Sequence, residues 1–134
     1  MPMITIRYAA TQDATQLRSE IAALAGALAK EHLKKDPLVT AVLVETANPE
    51  AWFIAGASLA DHGLNAYWID VKITAGTNVK SDTTAFIKAA HDGMRKLLGT
   101  VHDESYVLVH AVDGHSYGFG GRTQEGRWAA ANPG

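Results

Sequence analysis

Few residues of this chain have types and spacing suited to chemistry, and the earliest is Pro2. Removal of an initiator methionine ahead of a small residue leaves a free amine, here a secondary amine at the tip of the first expected strand. An ordinary α-amino group titrates near about 8, and apolar surroundings lower that value by penalising the cation. Such a base can take a proton from a carbon beside a carbonyl and return it elsewhere. Many Met-Pro starts carry no chemistry, so the dipeptide needs company. Tyr106 and Tyr117 could donate a hydrogen bond to a developing enolate oxygen, or could fill core or interface space. Trp52 and Phe53 could wall an amine with apolar surface, or pack at an interface. Asn78 follows the Gly76-Thr77 corner, where it either meets a ligand or makes the turn. Lys72 is a candidate cation for substrate; the structural alternative is an ion pair with Asp70, two residues earlier on the same strand face. Arg122 opens a polar tail that could reach a neighbouring subunit's pocket, or could fray.

Other chemistries find less support. The chain has no cysteine, which excludes disulfides and thiolate catalysis. None of its 6 histidines makes an i, i+4 helical pair, so no metal site is expected. Gly118-Phe119-Gly120-Gly121 lacks the lysine-hydroxyl pair of a phosphate loop, and neither Ser58 nor Ser116 sits in a nucleophile elbow.

The elements that must position these residues occur twice, 65 positions apart. Ile4-Thr5-Ile6-Arg7 meets Ile69-Asp70-Val71-Lys72; Val42-Leu43-Val44 meets Val107-Leu108-Val109; Trp52-Phe53-Ile54-Ala55-Gly56 meets Tyr117-Gly118-Phe119-Gly120-Gly121. One gapless offset joins all three matches, so the sequence reads as a single domain, 1–134, with internal repeats at about 2–63 and 64–128. Alternation predicts strands over 3–9 and 67–74. Helices follow, with Leu17, Ile21, Leu24 and Leu28 on one apolar face and Phe86, Ile87, Ala90, Met94, Leu97 and Leu98 on the other. Thr11 or Asp13 is the expected cap of the first, Ser81 or Asp82 of the second. Pro37 and Gly99 stop them. Second strands are expected over 38–46 and 105–112, a glycine-containing turn closes each unit, and residues 57–65 link the two. A strand, helix and strand imply a parallel pair with a right-handed crossover. The fold class is therefore α/β, with duplicated β-α-β units forming a four-stranded sheet and both helices on one face. The other face mixes apolar and polar side chains, which suggests burial in a symmetric homo-oligomer.

Apolar residues make up 47% of the 134 and charged residues 19%, a composition that argues against disorder. A net charge of -2 argues against a broad nucleic-acid or anionic-lipid surface. No segment approaches the roughly 18 apolar residues of a membrane helix, and the start has no signal-peptide pattern, so a cytoplasmic protein is expected.

The Met-Pro start, the order strand, helix, strand and aromatic-glycine turn, and the doubling together resemble the 4-oxalocrotonate tautomerase family, in particular its fused, double-length members. The segment Ser116-Tyr117-Gly118-Phe119-Gly120-Gly121 is similar to that family's His-Phe-Gly-Ile-Gly-Gly turn. The resemblance spans about residues 2 to 121. It implies a tautomerase or migration-inhibitory-factor-like fold, trimers, an amino-terminal proline as catalytic base or acid, and no cofactor. The substrate would be a small carbonyl or enol compound, unsaturated or 2-keto, undergoing keto-enol or 1,3/1,5-proton transfer. One active proline per chain is implied, since Tyr67 stands at the matching place inside the chain. The sequence departs from the family at its two carboxylate-binding arginines: Gln12 and Thr77 stand at one position, and Val42 and Tyr106 near the other. Arg7, Lys72, Lys80, Arg122 and Arg127 are the alternative cations. A proline-dependent hydratase or dehalogenase would use the same site with the proline protonated. A ferredoxin-like binding module without catalysis shares the element order, but there the two units interleave.

Overall fold

A computed structural model describes residues 2–133. Met1, on whose removal a free proline depends, and Gly134 lie outside the described residues. Strand β1 (Met3–Ala9) is followed by helix α1 (Thr15–Leu33), a 3-10 turn at Pro37–Val39 and β2 (Ala41–Thr46). Two short strands, β3 (Phe53–Ile54) and β4 (Ala57–Ser58), then form a hairpin, and a single helical turn follows at α2 (Leu59–His62). The second half repeats the order: β5 (Ala66–Thr74), α3 (Lys80–Leu98), β6 (Tyr106–Val112), the hairpin β7 (Gly118–Phe119) and β8 (Arg122–Thr123), and α4 (Gln124–Ala131).

The 65-residue offset holds at element after element. Both long helices have 19 residues, and they begin at Thr15 and Lys80. The hairpins begin at Phe53 and Gly118. Their turns place Ala55 and Gly56, then Gly120 and Gly121, at positive φ, as the two-residue turns that match strand twist require. Ser58 and Thr123 cap the helical turns that follow, each accepting from the backbone N–H three residues on.

The sheet order is β2-β1-β5-β6. Each unit keeps its own parallel pair, and the units join antiparallel through β1 and β5. That topology is not the interleaved one of a ferredoxin-like module. Period-2 alternation turns Ile4, Ile6, Tyr8, Tyr67, Ile69, Val71 and Ile73 to the helix side, all at most 4% exposed. Leu17, Ile21, Ala25, Ala29 and Leu33 of α1 cover them, with Phe86, Ala90, Met94 and Leu98 of α3. Ile87 lies outside this stripe and is exposed. The helices approach closely where Gly93 admits Leu24: a Cβ at 93 would lie 2.7 Å from Leu24 Cδ1.

The helix starts differ from expectation. Ala14 and Val79 occupy the cap positions, and neither offers a capping hydroxyl or carboxylate. Asp13 instead accepts the Tyr8 hydroxyl at 2.7 Å. Asp82, in the first turn of α3, accepts from the Val79 N–H at 3.2 Å. The tail that Arg122 opens, for which fraying was one expectation, is helical from Gln124 to Ala131. Among the described residues, no helix is long and apolar enough to cross a membrane.

Asn65 joins the two halves, a role that nothing in its sequence context signals. Its side chain is 8% exposed, accepts from the Thr11 N–H at 2.9 Å and donates to the Leu98 carbonyl at the end of α3. Asn65→Ala would leave both backbone groups without these partners. The expected loss is about 1–3 kcal/mol in denaturant titration, with far-UV circular dichroism unchanged.

Candidate functional site

Two open clefts lie at opposite ends of the β1–β5 pair, and the 65-residue offset converts one into the other. The first encloses about 330 Å³. Its floor is Pro2 and Met3 at the start of β1, one wall is residues 38–41 leading into β2, and the other is Tyr117 to Phe119 of the second hairpin. The second encloses about 460 Å³, between residues 52–55 of the first hairpin, Trp68, and His102, Glu104 and Tyr106. Each cleft thus takes its hairpin from one half and its strand start from the other.

In the first cleft, Pro2 is buried and its carbonyl accepts from Ala41 N–H at 3.2 Å, which fixes the ring at the end of the sheet. Tyr117 is half-buried, and its hydroxyl is hydrogen-bonded to Thr74 Oγ1 at the end of β5. Phe119 closes the far side and carries the Arg127 guanidinium on its ring, 3.9 Å from the centroid, while Arg127 Nε donates to the Phe119 carbonyl at 2.9 Å. None of the lining side chains is charged. Gly118 must lack a side chain here: a Cβ would come within 1.9 Å of the Arg122 carbonyl oxygen.

The remaining candidates are dispersed. Lys72 is the direct cross-strand neighbour of Met3 and so flanks the first cleft from the open sheet face. The expected Asp70–Lys72 pair is absent among the described residues; Asp70 Oδ1 lies 3.1 Å from His110 Nε2 instead. The strand register explains this, since His110 stands on the neighbouring strand β6. Trp52, Phe53 and Tyr106 belong to the second cleft, away from Pro2. Tyr106 donates to the Glu104 carboxylate, and that hydrogen bond raises the phenol above its ordinary value. Arg122 is exposed on β8, paired in register with Phe119.

Asn78 acts within the fold. Its amide donates to the Leu33 carbonyl at 2.9 Å and to Asp82 at 3.1 Å, tying the end of α1 to the start of α3. Tyr67, the sequence counterpart of Pro2, is a core residue. It is 1% exposed, its hydroxyl meets His91 Nδ1 at 2.6 Å, and burial pushes it up to about 12. No group that could serve as an amine base stands at that position of the second half. Sequence reasoning missed Thr74, Leu38 and Val39, because a wall made by a turn before a strand has no period to reveal it.

No protein-family model matches this sequence, and no curated protein does. Solved structures do match. The chain superposes on a protein described as "Q0 fused 4-OT wild type symmetric trimer" with a TM-score of 0.81, 11% identity, and coverage of 93% of this chain and 98% of that one. The chain has the tautomerase fold. A protein described as "Pt0534 Inactivated by 2-Oxo-3-pentynoate" is similar over 92% of this chain and 96% of its own, with a TM-score of 0.79 and 12% identity. The macrophage migration inhibitory factor-like protein of Entamoeba histolytica is similar at a TM-score of 0.75 and 17% identity, over 91% of this chain and 97% of its own. At these identities the likeness is one of fold.

The structural role of Asn78 can be tested by titration. Its hydrogen bond is the largest cause holding the Asp82 carboxyl below its ordinary value, ahead of the Val79 N–H. A lowered folded pKa contributes stability above the unfolded value and loses it as pH falls through the folded one. Asn78→Ala should therefore shift the Asp82 carboxyl resonance titration upward, toward about 3.9. It should also shrink the acid-side loss of stability.

Proposed function

We propose that the first cleft is the active site of a cofactor-independent, cytoplasmic tautomerase in which the Pro2 nitrogen, freed by loss of Met1, is the general base. The observation that carries this reading is the placement of a buried Pro2 in a cleft without a charged lining side chain. Such a lining disfavours an ammonium and pulls the amine down from the ordinary α-amino range. The amine takes a proton from carbon next to a carbonyl and returns it to the other end of the enolate. Tyr117 donates to the enolate oxygen, and Thr74 Oγ1, its hydrogen-bond partner, holds the phenol in place. The lining fits an apolar, unsaturated or 2-keto compound with at most one carboxylate. Lys72 beside Met3 and Arg127 behind Phe119 are the cations within reach of the rim. A hydratase would need a group to activate water, and no lining residue is acidic.

The same reading includes a homo-trimer. The sheet face away from the helices exposes Met3, Leu43, Trp68, Tyr106 and Leu108, between 43% and 56% each. Five large apolar side chains on one face, even interleaved with Thr5, Arg7, Asp70 and Lys72, are poorly suited to water. Light scattering should return three times the chain mass of 14.3 kDa.

Two experiments test the chemistry. Ketonisation of phenylenolpyruvate should slow by about 10²–10⁴-fold in Pro2→Ala and by about 10²-fold or more in Tyr117→Phe. Equal rates in native and Pro2→Ala protein would contradict the proposal. The native chain should also be inactivated by 2-oxo-3-pentynoate. The amine adds to the triple bond, one C–N bond forms, and the N–H proton moves to carbon. The intact mass should rise by one whole reagent, mapped to the amino-terminal peptide. A chain that keeps Met1 should stay unlabelled.

A further inference from the structure

The two hairpins and the helices that follow them are built alike, but what lies beside them is packed in one half and open in the other. In the first half, Ala9, Trp52, Leu59 and Ala66 form an apolar cluster in which Leu59 is 0% exposed. At the 65-residue offset, Thr74 stands for Ala9, Tyr117 for Trp52 and Gln124 for Leu59. A third cleft of about 280 Å³ opens there, with Lys35, Thr74, Thr77, Gln124 and Trp128 in its lining. None of the sheet-face residues that the homo-trimer would cover, Met3, Leu43, Trp68, Tyr106 and Leu108, lines it. Lys35 follows α1 and Thr77 precedes α3, in the helix layer rather than on the open sheet face.

Two polar groups of this cleft lack the partners that their burial calls for. Gln124 Oε1 is buried without a hydrogen-bond partner, where the first half has a leucine. A buried acceptor left unpaired costs stability. A turn about the last side-chain bond, a broad torsion, presents that oxygen to the cleft. Lys35 is half-buried, and among the described residues its ammonium has one hydrogen bond, to the neutral Thr77 Oγ1 at 2.8 Å. Burial pushes Lys35 below its ordinary value, and Asp82 is the carboxylate that opposes the shift. Asp82 is itself engaged by Asn78 and by the Val79 N–H. Glu125 also lines the cleft, yet its charge has no part in the Lys35 shift. A cation without a counter-charge and an acceptor without a donor, beside an indole ring, match a molecule that brings an anion, a hydroxyl and an apolar body.

We propose that this third cleft binds a small hydroxy carboxylate: Lys35 holds the carboxylate, the Gln124 carboxamide accepts from the hydroxyl, and Trp128 covers the apolar body. The inference does not rest on the proline mechanism, because Pro2 does not line this cleft. Three probes test it on the whole protein by ¹H–¹⁵N NMR titration: 3-phenyllactate, 3-phenylpropionate, which lacks the hydroxyl, and 3-phenyllactamide, which lacks the charge. 3-Phenyllactate should shift the Trp128 indole N–H saturably, that signal being the one lost in Trp128→Phe, and should leave those of Trp52 and Trp68 in place. The other two probes should each bind about tenfold more weakly or worse. Lys35→Met should weaken 3-phenyllactate by about tenfold without changing 3-phenyllactamide. Gln124→Leu, which installs the residue of the first half, should make 3-phenyllactate and 3-phenylpropionate bind alike. Pro2→Ala should bind 3-phenyllactate at Trp128 as the native chain does. The proposal is overturned if 3-phenyllactate leaves the Trp128 signal unmoved, if the three probes bind equally, or if Lys35→Met or Gln124→Leu leaves 3-phenyllactate binding unchanged.

Discussion

The antiparallel pairing of β1 with β5 is the constraint on which the rest of the molecule depends. Thr5 pairs directly with Asp70, its own counterpart at the 65-residue offset, so a local twofold axis passes between them. The axis puts both helices on one face, because each right-handed crossover is carried to the same side by a rotation normal to the sheet. It also sends the two strand starts to opposite ends of the sheet, where each meets the hairpin of the other half. Two clefts, each built from both halves, follow from that one register.

The β-α-β skeleton was legible because burial imposes periodicity. Strand alternation at Ile4, Ile6 and Tyr8 and the four-residue spacing of Leu17 and Ile21 reflect the same buried layer. The helix starts were less legible, since Asp13 and Asp82 carry the composition of caps but spend their carboxylates on Tyr8, Asn78 and Val79. The hairpins were readable only as glycine-bearing turns. Ala55 at φ 52° occupies a left-handed position that sequence would reserve for glycine or asparagine. The spatial grouping of candidates was illegible. Pro2 and Tyr117 are 115 positions apart in sequence yet line one cleft, while Trp52 and Phe53 line the other. Only the antiparallel join of the two units brings such residues together.

The two halves share hydrogen bonds as well as elements. Leu59 N–H donates to the Trp52 carbonyl as Gln124 N–H does to Tyr117, both at 2.9 Å. His62 meets the Ile54 carbonyl where Arg127 meets that of Phe119. Backbone geometry is the same in the two halves, while the side chains lining the two clefts differ. The first cleft has no charged side chain in its lining. The second is ringed by aromatic groups with a carboxylate at its edge. Tyr67, locked to His91 in the core, occupies the position where the first half has Pro2.

The central claim is that the cleft around Pro2 holds a neutral secondary amine. The most direct measurement is a ¹⁵N titration of protein labelled at proline, following the Pro2 nitrogen. The account predicts an amine resonance that titrates clearly below the roughly 7.7–8.0 of an ordinary α-amino group. A resonance that stays at an amide shift at every pH, or an amine titrating at or above that range, would contradict it.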